Sequence, residues 1–173
     1  GGLFASQPDA AQAQTFGTAP WNSQFFNSTD FTNPIPNVAP IYPALNINWP
    51  GVPTDANGVP LPGVPEDNFS AVFTSTQNLA AGTYTFSMVA DDRARLTLNG
   101  TEVINITAPN PTAPVQVPIV WAGGLIAMRV EFVEFTGPAI LQLQWSVAGV
   151  PGDPSQPIQP TPFIEPTATP LPT

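Results

Sequence analysis

Apolar residues recur at every second position over much of the second half of the chain. A period of two is typical of strands that bury one face and expose the other. The alternating segments are 84–90, 115–121, 126–132 and 141–147. No segment carries an apolar stripe at helical spacing over three turns, so the pattern predicts strands and no long helix.

Turn dipeptides separate these segments. Asn99-Gly100 is the strongest hairpin signal, and it predicts a two-residue loop that pairs Leu96 with Val103 on the inner face. Gly123-Gly124 and Gly137-Pro138 mark further turns. Short strands with such turns predict an all-β fold, built as an antiparallel β-sandwich or barrel.

The two ends of the chain differ from this pattern and suggest three parts. Residues 1–20 are small and polar and predict an N-terminal arm. Residues 149–173 are rich in proline and threonine and predict an extended tail or linker. Residues 21–148 form the expected β domain. Its proline-rich stretch 34–65 predicts loops and short edge strands, because proline lacks the amide donor of a central strand.

Charge and composition narrow the function. Three arginines are the only cations against twelve acidic residues, and the net charge is −9. This balance argues against nucleic acid as a partner, and no apolar run is long enough to predict a membrane span. Histidine, cysteine and lysine are absent, so we expect no enzyme. Few charges and many Thr, Asn, Gln and Pro residues favour a secreted or cell-surface protein.

The adjacent acids Asp91 and Asp92 follow a predicted strand and concentrate negative charge in one loop. Calcium prefers six to eight oxygen ligands, so the pair could begin a cation site that Glu134, Thr136 or backbone carbonyls complete. The alternative is a solvated turn in which the carboxylates accept backbone amides. Glu66, Asp67 and Asn68 could extend the acidic patch or form a strand-entry turn.

An ordered set of motifs between Trp21 and Val147 resembles the PA14 domain family. The set comprises Phe25-Phe26-Asn27, Ile47-Asn48-Trp49-Pro50, Asp67-Asn68-Phe69-Ser70, Gly82-Thr83-Tyr84-Thr85-Phe86, Asp91-Asp92, Arg95-Leu96-Thr97-Leu98-Asn99-Gly100, Arg129-Val130-Glu131-Phe132, Gly137-Pro138-Ala139 and Leu143-Gln144-Trp145. The resemblance implies a β-sandwich or barrel of the kind found in secreted glycosidases, adhesins and toxins. In adhesins of this family, a pair of aspartates joined by a cis peptide holds the calcium that contacts sugar hydroxyls, and Asp91 and Asp92 match it.

Two residues bear on sugar binding. The family often has a small residue after the aspartate pair, whereas Arg93 follows it here. Its guanidinium could pair with a carboxylate and replace the metal, or it could line a sugar site. Trp49 lies between Asn48 and Pro50 and is the tryptophan we expect to be exposed for stacking on a sugar ring.

Other candidate residues concern modification and assembly. Asn27, Asn68 and Asn105 begin glycosylation triplets, and Thr161, Thr167 and Thr169 in the tail could carry O-glycans. Leu3 and Phe4 could add a strand to a neighbouring copy. We therefore weigh two functions: a structural subunit of an extracellular filament held by its arms, and a calcium-dependent carbohydrate-binding module on a Pro/Thr-rich stalk.

Overall fold

The structure is a computed structural model that describes residues 18–147. These residues form strands and loops. The strands are β1 (Asn22–Phe26), β2 (Asn46–Trp49), β3 (Phe69–Leu79), β4 (Gly82–Asp91), β5 (Arg93–Leu98), β6 (Thr101–Ile106), β7 (Val115–Trp121), β8 (Gly124–Glu134) and β9 (Ala139–Val147). Within this part of the chain, no helix is long and apolar enough to cross a membrane.

The strands form two antiparallel sheets. One has the order β1-β3-β8-β5-β6 and the other has the order β2-β9-β4-β7. The all-β prediction is therefore confirmed, with the sandwich as the architecture. The predicted boundaries at residues 20, 148 and 149 stay predictions, because both expected arms fall largely or wholly outside the described residues.

The alternating positions face the space between the sheets. In β8, Ile126, Met128, Val130 and Phe132 are buried, and Arg129 lies exposed on the other face. Aromatic rings from two neighbouring strands meet in this core: Phe25 of β1 contacts Phe69 and Phe73 of β3, with ring centroids 6.2 and 6.1 Å apart. Burial of these side chains supplies the main driving force for folding.

The β5–β6 hairpin differs from the predicted register. Asn99 and Gly100 form the turn with φ of 47° and 84°, as the dipeptide predicts. A bulge between Leu96 and Thr97 then pairs Leu96 with Ile104 instead of Val103. The prediction was wrong because the regular register would turn Asn105 inward. The bulge instead buries Ile104 and Ile106 and leaves Asn105 exposed.

The two ends of the long strands define two poles of the sandwich. We call the end that holds Asp67, Asp91, Asp92 and Glu134 the acidic pole. The described chain starts and stops at the other end. There, the Ala19 amide donates to Gln77 Oε1 over 2.9 Å, and Val147 pairs with Tyr84 beside Gly82. Because β3 and β8 each span 11 residues, about 35 Å separates the poles.

Candidate functional site

Three carboxylates converge at the acidic pole. Asp91 ends β4 and Asp92 follows it, joined by a cis peptide bond. Glu134 ends β8, opposite Phe69 at the start of β3. The three residues each offer a carboxylate oxygen, and these oxygens lie within 4.8 Å of one another. The structure thus brings together the predicted pair and Glu134, one of the residues expected to complete the site.

Asp92 is held by the chain segment that leaves β8. Its Oδ2 accepts a hydrogen bond of 2.7 Å from the Phe135 amide, and its own amide donates to the Val133 carbonyl over 3.3 Å. Phe135, whose backbone amide donates to the Asp92 carboxylate, is 43 residues away in sequence. A local turn therefore does not account for the Asp92 carboxylate, which links two strand ends.

Glu134 is fully buried, and neither of its carboxylate oxygens has a hydrogen-bond partner within residues 18–147. Burial, together with the nearby carboxylates of Asp92, Asp91 and Asp67, raises the pKa of Glu134 from 4.5 to about 8. The pKa of Asp91 is raised by burial and by Asp92. A buried polar group without a partner is costly, so this arrangement calls for a proton or a cation.

The donor set fits calcium. All three groups offer carboxylate oxygens, which are the ligands that a hard divalent cation prefers. A cation among them would supply the compensating charge and the coordination that the Glu134 oxygens lack. The orphaned carboxylate and the convergent geometry distinguish this cluster from a solvated acidic surface.

Two neighbouring segments shape the rim of the cluster. Asp67 Oδ1 accepts from the Gly137 amide over 3.1 Å, and the Asn68 amide donates to the Phe135 carbonyl over 2.9 Å. Both contacts fix the loop that carries Thr136, which is exposed. A ligand role for Thr136 stays a prediction. The strand-entry interpretation of Asp67 and Asn68 agrees with these contacts.

Arg93 follows the aspartate pair in the chain and is exposed. Its guanidinium carbon is 5.0 Å from the centroid of the Phe135 ring. Among residues 18–147 it forms no ion pair, whereas Arg95 and Arg129 both pair with Glu131. The alternative in which Arg93 neutralises the aspartates in place of a metal is therefore not the arrangement observed.

The expectation that Trp49 is exposed is wrong. Trp49 is 5% exposed and packs against Phe25, Tyr42 and Phe69, with ring centroids 6.1 to 6.3 Å apart. It lies on β2, whose alternate residues point into the core, and so it cannot stack on a sugar. Trp121 and Trp145 are partly buried against the core.

The remaining predicted residues are dispersed. Asn27, Asn68 and Asn105 are exposed, and their glycosylation stays a prediction. Thr161, Thr167, Thr169, Leu3 and Phe4 lie outside the described residues. The roles proposed for these five residues in glycosylation and assembly therefore stay predictions as well.

Sequence reasoning missed two residues that build the site, Phe135 and Asn110. The Asn110 side-chain oxygen Oδ1 accepts a hydrogen bond from the Ala90 backbone amide over 2.8 Å, and the Asn110 backbone amide donates to the Ala90 carbonyl over 3.0 Å. This pair of bonds fixes the end of β4 just before Asp91. The dipeptide Asn110-Pro111 signals a turn, but nothing in the sequence places that turn beside β4.

Comparison with known proteins identifies similar folds. No curated protein matches the sequence. Among solved structures, the chain is similar to an anti-sigma factor domain-containing protein with 24% identity and a TM-score of 0.63, over 88% of this chain and 50% of that one. The chain thus spans half the length of that protein.

Two shorter structures also share the fold. The PA14 domain of the MpAFP antifreeze protein is 20% identical, with a TM-score of 0.55, over 76% of this chain and 82% of that one. The epithelial adhesin 9 A domain from Candida glabrata, solved in complex with Galb1-4GlcNAc, is 10% identical, with a TM-score of 0.59, over 76% and 83%. At these identities the likeness shows the fold alone.

A family model adds evidence from the sequence itself. The model described as PA14 domain matches residues 54–159, which is more than half of the chain. The matched range contains strands β3 to β9 and all three clustered carboxylates, whereas β1 and β2 precede it. The resemblance noted in the sequence is confirmed, and the chain belongs to the PA14 domain family.

Proposed function

We propose that this domain is a non-enzymatic, calcium-dependent carbohydrate-binding module, with Asp91, Asp92 and Glu134 holding the metal. The observation that carries the proposal is the Glu134 carboxylate, which is fully buried with both oxygens unpartnered and lies beside two more carboxylates. A bound calcium would satisfy these oxygens. It would also offer further coordination positions to hydroxyl groups of a sugar at the acidic pole.

The position of the cluster supports ligand binding. Asp91 and Asp92 are partly exposed, so the cluster opens to solvent on one side while Glu134 closes it from below. Oxygen groups from the loop after β8, or water, would complete the shell. Among the structural neighbours, three epithelial adhesin domains were solved with Galb1-4GlcNAc, beta-lactose and Galb1-3GlcNAc. Those ligands motivate the choice of carbohydrate as the partner here.

A non-catalytic role agrees with the residue inventory. The chain has no histidine, cysteine or lysine. Asp91 and Asp92 are chain neighbours, whereas glycoside hydrolysis needs two carboxyl groups on opposite sides of the bond to be broken. A beta-glucosidase from Kluyveromyces marxianus shares the fold, but the chain covers 16% of that enzyme. We propose an extracellular or cell-surface location for the domain.

Calcium titration tests the metal site. We expect calcium to raise the melting temperature of the full chain and a chelator to reverse the rise. Asp92→Asn should abolish the rise while the fold persists, because the side-chain oxygen of the substituted amide can still accept from the Phe135 amide. Glu102→Gln is the matched control, since Glu102 is exposed on β6 and pairs weakly with Arg95. Its calcium response should equal that of the wild type.

The carbohydrate part needs a separate readout. A glycan array probed with and without calcium should show binding that disappears in chelator and in Asp92→Asn. If calcium raises the melting temperature but no glycan binds, the carbohydrate part of the proposal is wrong and the domain is a metal-stabilised structural domain. No melting shift at millimolar calcium would overturn the metal site.

A further inference from the structure

Arg93 is positioned by the same residue that positions Asp92. The Phe135 amide donates to Asp92 Oδ2 over 2.7 Å, and the Phe135 ring supports the Arg93 guanidinium at 5.0 Å. Arg93 directly follows Asp92 and pairs with Val133 at the start of β5. Its guanidinium therefore lies against the ring of the residue whose amide binds Asp92.

Arg93 differs from the other two arginines in its charge balance. Arg95 and Arg129 share Glu131, with Arg129 Nη2 3.1 Å from Glu131 Oε2. Arg93 has no ion pair among residues 18–147, although the protein as a whole carries a net charge of −9. Its side chain is exposed, so its guanidinium donors are available to a ligand.

A guanidinium has a strong preference for carboxylates. Its planar fork donates two parallel hydrogen bonds to the two oxygens, and stacking on an aromatic ring preorganises that fork. A neutral sugar bound at the calcium site would leave this charge without an anionic partner. A sugar with a carboxylate would satisfy it.

We propose that the carbohydrate site selects saccharides that bear a carboxylate group, such as uronic acids, and that Arg93 binds that carboxylate while calcium binds sugar hydroxyls. This inference rests on the proposed function. It adds a ligand class and assigns Arg93 as the residue that determines specificity.

The test compares carboxylated and neutral probes on one array. The array carries paired oligosaccharides. Each pair has one member with uronic acids and one uncharged member of the same linkage, and the full chain is applied at saturating calcium. We expect the carboxylated member of a pair to bind more tightly, and increasing sodium chloride to weaken that binding. Arg93→Gln should reduce affinity for carboxylated probes about tenfold and change neutral probes less than about twofold.

Two controls separate the possible failures. Arg129→Gln removes an exposed arginine that is already paired with Glu131, and it should keep the wild-type preference. Arg93→Gln should retain the calcium-induced rise in melting temperature, which shows that the metal site is intact. Equal binding of paired probes overturns the preference for carboxylated saccharides, and a preference that survives Arg93→Gln overturns the role of Arg93. Neither result touches the calcium and carbohydrate site of the proposed function. Binding of no probe by a calcium-responsive wild-type chain overturns the carbohydrate proposal as well.

Discussion

At the residue scale, Glu134 was predictable in position but not in environment. It continues the inward series of β8 after Phe132 by two residues, so the period of two places it inside. The sequence offers Glu134 as one of several possible ligands, but it does not show that the end of β4, which belongs to the other sheet, brings Asp91 and Asp92 beside Glu134. The carboxylate cluster results from this tertiary packing. The lack of a hydrogen-bond partner for Glu134 within the described residues results from it as well.

The raised pKa of Glu134 predicts how stability depends on pH in chelator. Because the pKa is higher in the folded state, about 8 against an ordinary 4.5, the protonated carboxyl stabilises the fold at low pH. This contribution is lost as the pH rises from about 4.5 through 8. The melting temperature in chelator should therefore fall over that range, and Glu134→Gln should flatten the decrease.

Calcium should act in the opposite direction on the same group. It competes with the proton, so the melting shift it produces should grow as the pH rises toward 8. Differential scanning fluorimetry of wild type and Glu134→Gln, with chelator and with calcium, measures both effects. Parallel pH curves for the two proteins in chelator would contradict the assignment of the buried charge to Glu134.

At the element scale, the alternation predicts strands well but does not predict their partners. The alternating strands share the same period of two, and so the pattern does not reveal that β3 lies between β1 and β8 or that β8 pairs with β5. Turn chemistry gives local pairing only, as the β5–β6 hairpin shows. Even there, the demand to bury Ile104 and Ile106 shifted the register through a bulge.

Asn99 joins that hairpin to β8. It adopts a positive φ of 47°, its Oδ1 accepts from the Ala127 amide over 2.8 Å, and its amide donates to the Ala127 carbonyl over 2.8 Å. Asn99→Ala should lower the free energy of unfolding by about 1–3 kcal/mol, because it removes an acceptor and disfavours the left-handed conformation.

Urea denaturation measures the effect of Asn99→Ala. Asn105→Ala is the control, because Asn105 is exposed on β6, and it should change the unfolding free energy by less than about 0.5 kcal/mol. If both variants lose the same stability, the turn and its contact with β8 are not what fixes this hairpin.

At the scale of the whole molecule, both ends of the described chain leave from the pole opposite the carboxylates. Ala19 is hydrogen-bonded to Gln77, and Val147 pairs with Tyr84 near the start of β4. Asp91 and Glu134 lie at the opposite ends of β4 and β8. The points at which the terminal segments join the described residues therefore lie away from the acidic pole. This polarity suits a module that is tethered at one end and binds a ligand at the other.

We expect the two predicted arms to be separable from the fold. The described core cluster is built from strand and loop residues between Trp21 and Val147, so we expect a chain truncated to residues 18–147 to unfold cooperatively, with a melting temperature within a few degrees of the full chain, and to keep its calcium response. Sedimentation and electron microscopy of both chains then test the assembly hypothesis. Filaments formed by the full chain but not by the truncated one would assign assembly to the arms, including Leu3 and Phe4. Filaments that survive removal of both arms would show that the sandwich surface itself drives association.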